Sequence, residues 1–222
     1  MLISFCTVCK GRLWQLKQTI FKNLEMLEDD CELVLLDYQS PDGLEEFIRT
    51  NFDLELKSGK LRCFKLLDNY NYSSPLAKNI VHKLAKGEIL FNLDGDNFIQ
   101  EGLIERLRNL PKDTVLNNLS KGRPKDTGSF GRLGYHVDLF NDVNGYDETL
   151  VGMNKGDDAD LVTRALKKGY KLKGFKTELT HIPNIEEDKH IYTDHPSLFH
   201  PLINYPDKWG VANVEDYLKP EV

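Results

Sequence analysis

Short apolar segments alternating with helix-spaced stretches constrain this chain more than any other feature. Leu2 to Val8, Glu32 to Asp37, Leu61 to Leu67 and Ile89 to Leu93 are largely apolar and too short for ordinary helices, and the first is also rich in β-branched residues. Between the first two, Leu13, Leu16, Ile20, Leu24 and Leu27 recur at spacings of three and four, which predicts an amphipathic helix. Ser40-Pro-Asp-Gly43 then turns into a helix near 44–51, with Pro41 suited to its first turn. Ser73/Ser74-Pro75 opens a third helix through about Lys86, with Gly87 as its C-cap. A β-α-β-α-β-α-β order whose strands show little polar alternation predicts a parallel sheet covered on both faces, a three-layer α/β sandwich.

Such sheets bind ligands beyond the carboxyl ends of their strands. Thr7 to Arg12, Asp37 to Ser40, Asn69 to Asn71 and Asp94 to Asp96 fall there, polar where the strands are apolar. The run Glu88-Ile-Leu-Phe-Asn-Leu-Asp94-Gly95-Asp96-Asn97 is the most telling of these. Alternate residues of an extended chain point the same way, so Asp94 and Asp96 can face one point. Mg2+ and Mn2+ take oxygen ligands and commonly bind one or two carboxylates together with substrate phosphates. Asp, Gly and Asn also make ordinary solvated turns, and on these residues alone that reading stays open.

At 222 residues the chain can form one large domain or two small ones. Its net charge of −6 argues against broad affinity for nucleic acid, which draws on clustered Lys and Arg. Cys6-Thr-Val-Cys9 has the spacing of a zinc or redox site, yet it lies in a strand and no second such pair follows, so all four cysteines are expected to be buried and reduced. The first residues enter a strand without a basic, apolar leader, and no apolar run approaches the ~20 residues of a membrane span. A cytoplasmic protein without an integral membrane segment is expected.

The second half is less regular. A helix is predicted at about 99–109, a strand at Val115 to Leu119, an extension through Tyr135 to Phe140, a helix over Asp157 to Lys168, and a strand at Tyr170 to Phe175. The glycines of Gly128 to Gly134 lack the strand-to-helix context of a phosphate-binding loop. With no repeat or Gly/Ser linker, one domain over 1–182 is expected, a nucleotide-binding half to about 97 and an acceptor half beyond it. Residues 183–222 read as an extension packing on that domain.

Four ordered stretches resemble GT-A-fold nucleotide-sugar glycosyltransferases, of the family 2 type and the related β-1,4-galactosyltransferase type. They are Ser4 to Arg12; Leu35-Leu-Asp37 with Ser40; Pro75-Leu-Ala-Lys-Asn79 leading to Gly87 through Asp96; and Val143-Asn-Gly-Tyr-Asp-Glu148 leading to Gly156-Asp-Asp-Ala-Asp-Leu161. The resemblance implies the Rossmann-like GT-A sandwich with a mostly parallel sheet. It further implies a transferase that is metal-dependent, with Mn2+ or Mg2+, and moves a sugar from a nucleotide-diphosphate sugar to an acceptor hydroxyl with inversion.

Residue by residue, the resemblance places Thr7, Cys9 and Arg12 around the nucleotide, Arg12 offering a forked donor set to the diphosphate. Asp37 takes the place of the base-recognising acid, with Tyr38 where relatives often have a second aspartate, and uracil against a stacked aromatic is the natural base. Lys78 and Asn79 match the basic-Asn pair facing the nucleotide; Asp94 and Asp96 match the metal motif, and His181 the position of a third ligand. Asp158 falls where the catalytic base lies and Asp157 where acceptor hydroxyls are gripped, at a helix start that suits a carboxylate. The stretch 128–134 would floor the donor sugar. His190, His195 and His200 with Tyr192, Phe199, Tyr205 and Trp209 would form an acceptor-side wall, or a tail packed on the core. The partners implied are a UDP-type donor and a saccharide or other hydroxyl acceptor; nucleic acid enters only as an acceptor, as in glycosylation of modified DNA bases. The same residues would also suit a nucleotidyltransferase, or a binding module that keeps a vestigial site.

Overall fold

The computed structural model describes residues 1–120, 131–150, 156–177, 181–185 and 209–218. Their strands form one eight-stranded sheet in the order β7-β5-β6-β4-β1-β2-β3-β8. At its centre β1 (Ile3–Cys9) pairs in parallel with β2 (Cys31–Asp37) and β4 (Ile89–Asn92), and β2 pairs in parallel with β3 (Leu61–Leu66). Beyond β4, β6 (Leu133–His136) runs antiparallel between β4 and β5 (Thr114–Ser120), and β7 (Lys171–Thr177) closes that side parallel to β5.

Burial on both faces follows from alternation within each strand. Ile3 and Phe5 of β1, with Ile89 and Phe91 of β4, face one way into a cluster with Leu16, Ile20 and Leu24 of α1 (Leu13–Met26). Helices α2 (Leu44–Asn51), α3 (Asp53–Ser58) and α5 (Leu103–Arg108) add Leu44, Ile48, Leu56, Leu103 and Leu107 to that cluster. Cys6, Val34 and Leu36 face the other way, onto Leu76, Ala77 and Ile80 of α4 (Ser74–Leu84). On that same face Leu90, Leu133 and Tyr135 meet α6 (Val137–Asp142) and α7 (Asp157–Lys167). Each large apolar side chain so buried contributes about 1.5–3 kcal/mol. The three-layer, mostly parallel α/β sandwich expected from the sequence is the architecture observed.

Close approach fixes one glycine. A Cβ on Gly134 in β6 would lie 2.5 Å from Leu107 Cδ2 and 3.1 Å from Phe91 Cδ2, so α5 seats directly on that strand.

Several local expectations are corrected. Pro41 precedes α2 rather than opening it; Gly43, at φ 83°, is the residue before the first helical turn. Gly87 does not cap α4, whose last turn gives way to extended Ala85. Its N–H instead donates to Ser4 Oγ at 2.8 Å, and Ser4 donates to the buried Glu32 at 2.6 Å, tying the α4–β4 turn to the sheet. Tyr135 and His136 end β6, and Val137 to Phe140 are helical. The helix expected at 99–109 is confined to Leu103–Arg108, and α3 was not foreseen. Within the tail, β8 (Val214–Asp216) pairs antiparallel with β3, so this stretch extends the β3 edge of the sheet.

Candidate active site

The carboxyl ends of β1, β2 and β4 converge as the parallel topology requires. Thr7 Oγ1 donates to Leu93 O at 2.8 Å, so this hydroxyl ties β1 to β4 from a buried position. Cys6 and Cys9 lie in different core clusters on opposite faces of the sheet, and burial pushes the Cys9 thiol up to about 12. The pair therefore cannot converge on a metal, and all four cysteines are buried and reduced, as expected. Gly11 N–H donates to Ser40 Oγ (2.6 Å), Ser40 Oγ to Asp42 Oδ1 (2.8 Å), and Leu13 N–H to Asp42 Oδ2 (2.8 Å). Asp42 thus caps α1 from the neighbouring loop, at the helix end that favours negative charge.

Arg12 is held by the segment 181–185, donating from Nη1 to Asn184 Oδ1 at 2.7 Å, while Gln15 Nε2 donates to Ile182 O and Pro183 O. Asp37 ends β2, as the sequence places it. It is buried, with Oδ1 accepting from Ser40 N–H (2.6 Å) and Oδ2 from Tyr217 O–H (2.6 Å), and burial raises its carboxyl. A base contact there would compete with both bonds. Tyr38 is wholly buried, its hydroxyl donating to Asn71 O, so it offers no stacking face. Half-buried Tyr72 packs edge-on against it at 5.3 Å, close enough to feel the charges of Lys78, Asp94, Arg12 and Asp157. Among the described residues Tyr72 and Tyr146 are aromatics near these charges, the Tyr146 ring lying 5.0 Å from Lys78 Nζ.

Asp94 and Asp96 follow β4 as expected. Asn92 Nδ2 and Asn97 Nδ2 donate to Asp94 at 3.2 and 3.4 Å, and Asn97 N–H closes the turn on Asp94 O at 2.9 Å. The carboxyl of Asp96 rises to about 6, through burial first and then the charge of Asp94, with Arg132 and Arg12 opposing. His181 reaches this turn by backbone: it bridges Asn97 in antiparallel fashion, and Ile182 N–H donates to Asp96 O at 2.8 Å. Among the described residues no group of three or more His, Cys, Asp or Glu side chains could hold a metal, so the expected set Asp94, Asp96 and His181 is not gathered here. Two hard carboxylates at one strand end, with the charge of Asp94 raising the proton affinity of Asp96, nonetheless suit Mg2+ or Mn2+ completed by phosphate oxygens.

The second acidic cluster sits on the first turn of α7. Lys78 Nζ, from α4, donates to Asp157 Oδ2 at 2.9 Å and to Asp158 Oδ1 at 2.8 Å, and Ser74 Oγ donates to Asp157 Oδ2 at 2.9 Å. Burial favours neutral Asp157, but the Lys78 charge and these bonds outweigh it and hold the carboxyl low. Asp158 goes the other way: burial, then the charges of Asp157 and Asp94 against that of Lys78, raise it to about 6. Asn79, expected to meet the nucleotide, is fully buried and spends its amide on Tyr146 O, Tyr146 N–H and Glu148 Oε1. It pins the Val143 to Glu148 turn to α4. Glu148 also accepts from Gly210 N–H, and Trp209 packs edge-on to Phe140 at 5.3 Å, so this part of the tail lies on the core. His190, Tyr192, His195, Phe199, His200 and Tyr205 lie outside the described residues, as does 128–130 of the glycine-rich stretch.

Arg132, unnoticed in the sequence, is 3% exposed and donates from Nη2 to Asn97 Oδ1. The charges of both Asp94 and Asp96 act on it. Just before it, Gly131 O accepts from Asn92 Nδ2 at 2.9 Å, and a Cβ on Gly131 would stand 2.8 Å from Asp158 Oδ2. The two acidic pairs are therefore joined through Asn92 and Gly131. A single arginine after a glycine carries no spacing pattern, and only its burial draws attention to it.

No family pattern and no curated protein matches the sequence. Solved structures do match in shape. S. aureus TarS 1-349 in complex with UDP-GlcNAc superposes with a TM-score of 0.66 at 15% identity, over 89% of this chain and 62% of that one. The mannosyltransferase PcManGT from Pyrobaculum calidifontis, in complex with GDP-Man and Mn2+, gives a TM-score of 0.64 at 15% identity, over 83% and 58%. The fold is the GT-A fold. The chain spans about six-tenths of the length of these neighbours. Among the described residues no helix is long and apolar enough to cross a membrane.

Proposed function

We propose that this chain is a metal-dependent, inverting glycosyltransferase that moves a hexosyl-type sugar from a nucleoside-diphosphate sugar, taken to be a UDP-sugar, to an acceptor hydroxyl. The observation that carries the proposal is the joining of two acidic pairs at the strand ends of a GT-A sheet. One pair, Asp94 and Asp96, is a hard-cation donor set; the other includes Asp158, whose carboxyl sits near 6. The β-1,4-galactosyltransferase likeness enters only through the Val143 to Glu148 and Gly156 to Leu161 stretches. The saccharide acceptor is favoured over nucleic acid by the net charge of −6.

A divalent cation held by Asp94 and Asp96 would supply Lewis-acid stabilisation of charge on the departing diphosphate. Asp158 accepts the proton of the acceptor hydroxyl as its oxygen bonds to the anomeric carbon and the bond to the nucleoside diphosphate breaks. A pKa near 6 leaves Asp158 ionised at neutral pH while keeping it a better base than an ordinary aspartate. Lys78 holds Asp158 and Asp157 in register, Asp157 gripping the acceptor beside them.

The test incubates purified protein and Mn2+ with UDP-, GDP- and dTDP-sugars and follows release of the nucleoside diphosphate, with Asp96→Ala and Asp158→Asn alongside. Release from one donor, abolished by chelator and by Asp96→Ala, is the expected result. Neither release nor metal-dependent nucleotide binding with any donor would sink the proposal.

A further inference from the structure

Arg132 is a buried cation with most of its hydrogen-bonding capacity unused. Its Nε and Nη1 are shielded from solvent and have no hydrogen-bond partner, while Nη2 is taken by Asn97 Oδ1. A guanidinium is ionised at any physiological pH and presents its donors in a fixed fork. Leaving such donors buried and unmatched is costly, and native proteins keep few of them. Asp94 and Asp96 offset the charge of Arg132 through space, but neither accepts a bond from it. Asp94 instead accepts from Asn92 and Asn97. The geometry therefore leaves a cationic fork, already desolvated, beside two carboxylates.

On the glycosyltransferase reading, on which this inference rests, a divalent cation on Asp94 and Asp96 would withdraw the countercharge that these two carboxylates give Arg132. Dication and guanidinium then stand side by side with excess positive charge, and only an anion shared by both relieves it. We propose that Arg132 is that anion's second holder: its free Nε and Nη1 donate to the diphosphate of the donor, coupling nucleotide binding to metal binding. A bidentate guanidinium matches two phosphate oxygens in a way a lysine cannot. Asn97 sets the angle of the fork, being fixed through the Asp94 turn and the bridge to His181.

Binding of UDP and GDP, with UMP and GMP as controls, would be measured by calorimetry with and without Mn2+ on wild type, Arg132→Lys and Arg132→Met. For wild type, diphosphate binding strengthened by Mn2+ is expected. In Arg132→Met, diphosphate affinity in Mn2+ should fall about 10- to 100-fold, the value of a charge-assisted bond, with monophosphate affinity little changed. Arg132→Lys should fall between the two. Equal diphosphate affinity in wild type and Arg132→Met would overturn the inference. Wild type that binds no diphosphate at all defeats the glycosyltransferase reading itself. Should Arg132→Met not fold, a crystal structure of wild type with UDP or GDP and Mn2+ decides the matter. Nε or Nη1 within hydrogen-bond distance of a phosphate oxygen supports the inference, and a guanidinium bonded to Asn97 alone refutes it.

Discussion

Lys78 Nζ stands 2.9 Å from Asp157 Oδ2 and 2.8 Å from Asp158 Oδ1, a single buried ammonium shared between two adjacent carboxylates of α7. It joins α4 to the helix carrying the proposed base. Removing it leaves a buried and a half-buried acid without that cation, the costly way to break such a pair. Lys78→Met should lower stability by about 3–5 kcal/mol in urea unfolding. Adding Asp157→Asn should restore part of that loss, and no recovery in the double variant would deny that Lys78 acts through this pair.

The pH profile should report Asp158. Its carboxyl lies near 6, above the ordinary aspartate value, so the base is protonated and inactive at pH 5 and ionised at pH 7. The groups facing it are Asp157, Lys78 and Asp94. Turnover should therefore rise with pH through about 6 and level off above it. Asp158→Asn should cost about 10²- to 10⁴-fold in kcat and abolish this rise, with nucleotide affinity kept. Loss of affinity in place of turnover would make Asp158 a binding group.

Asp96→Ala removes one of the two hard donors at the β4 end. Mn2+-dependent tightening of nucleotide diphosphate binding should disappear, while the thermal midpoint in the absence of metal stays the same or rises, since a half-buried carboxylate beside Asp94 is lost. Calorimetry with and without Mn2+ checks the first part and differential scanning fluorimetry the second.

Tyr217→Phe deletes one hydroxyl at the tail's anchor. Asp37 then keeps only the Ser40 N–H as a short partner, in a buried position. The expected loss is about 1–3 kcal/mol. Hydrogen exchange should show β8 opening from β3 more readily than in wild type; unchanged protection there would mean that backbone pairing alone holds the strand.

Gly134→Ala places a methyl group 2.5 Å from Leu107 Cδ2. Leu107 has to move within a filled cluster, at about 1–3 kcal/mol. The unfolding midpoint should drop accordingly, and an unchanged midpoint would show that α5 can lift from the sheet without cost.

What the sequence by itself determined was the periodic part of this protein. Strands β1 to β4 and helices α1 and α4 were legible because burial on two faces writes continuous apolar runs, and burial on one helical face writes a three-four spacing. Asp94, Asp96, Asp157 and Asp158 were legible for a related reason: acidic residues at strand ends and helix starts stand out against apolar surroundings, and they occupy the expected elements. The tertiary structure decided the rest, since it depends on contacts between residues far apart in the chain. Asn79 and Asp37 look like ligand-facing polar residues in one dimension, but Tyr146, Glu148 and Tyr217 claim them across separations of 67, 69 and 180 residues. Strand β8 has no pattern of its own and exists because β3 offers an open edge. Arg132 is one arginine among many until folding removes it from water beside Asp94 and Asp96, where a charge must be matched or must wait for a ligand.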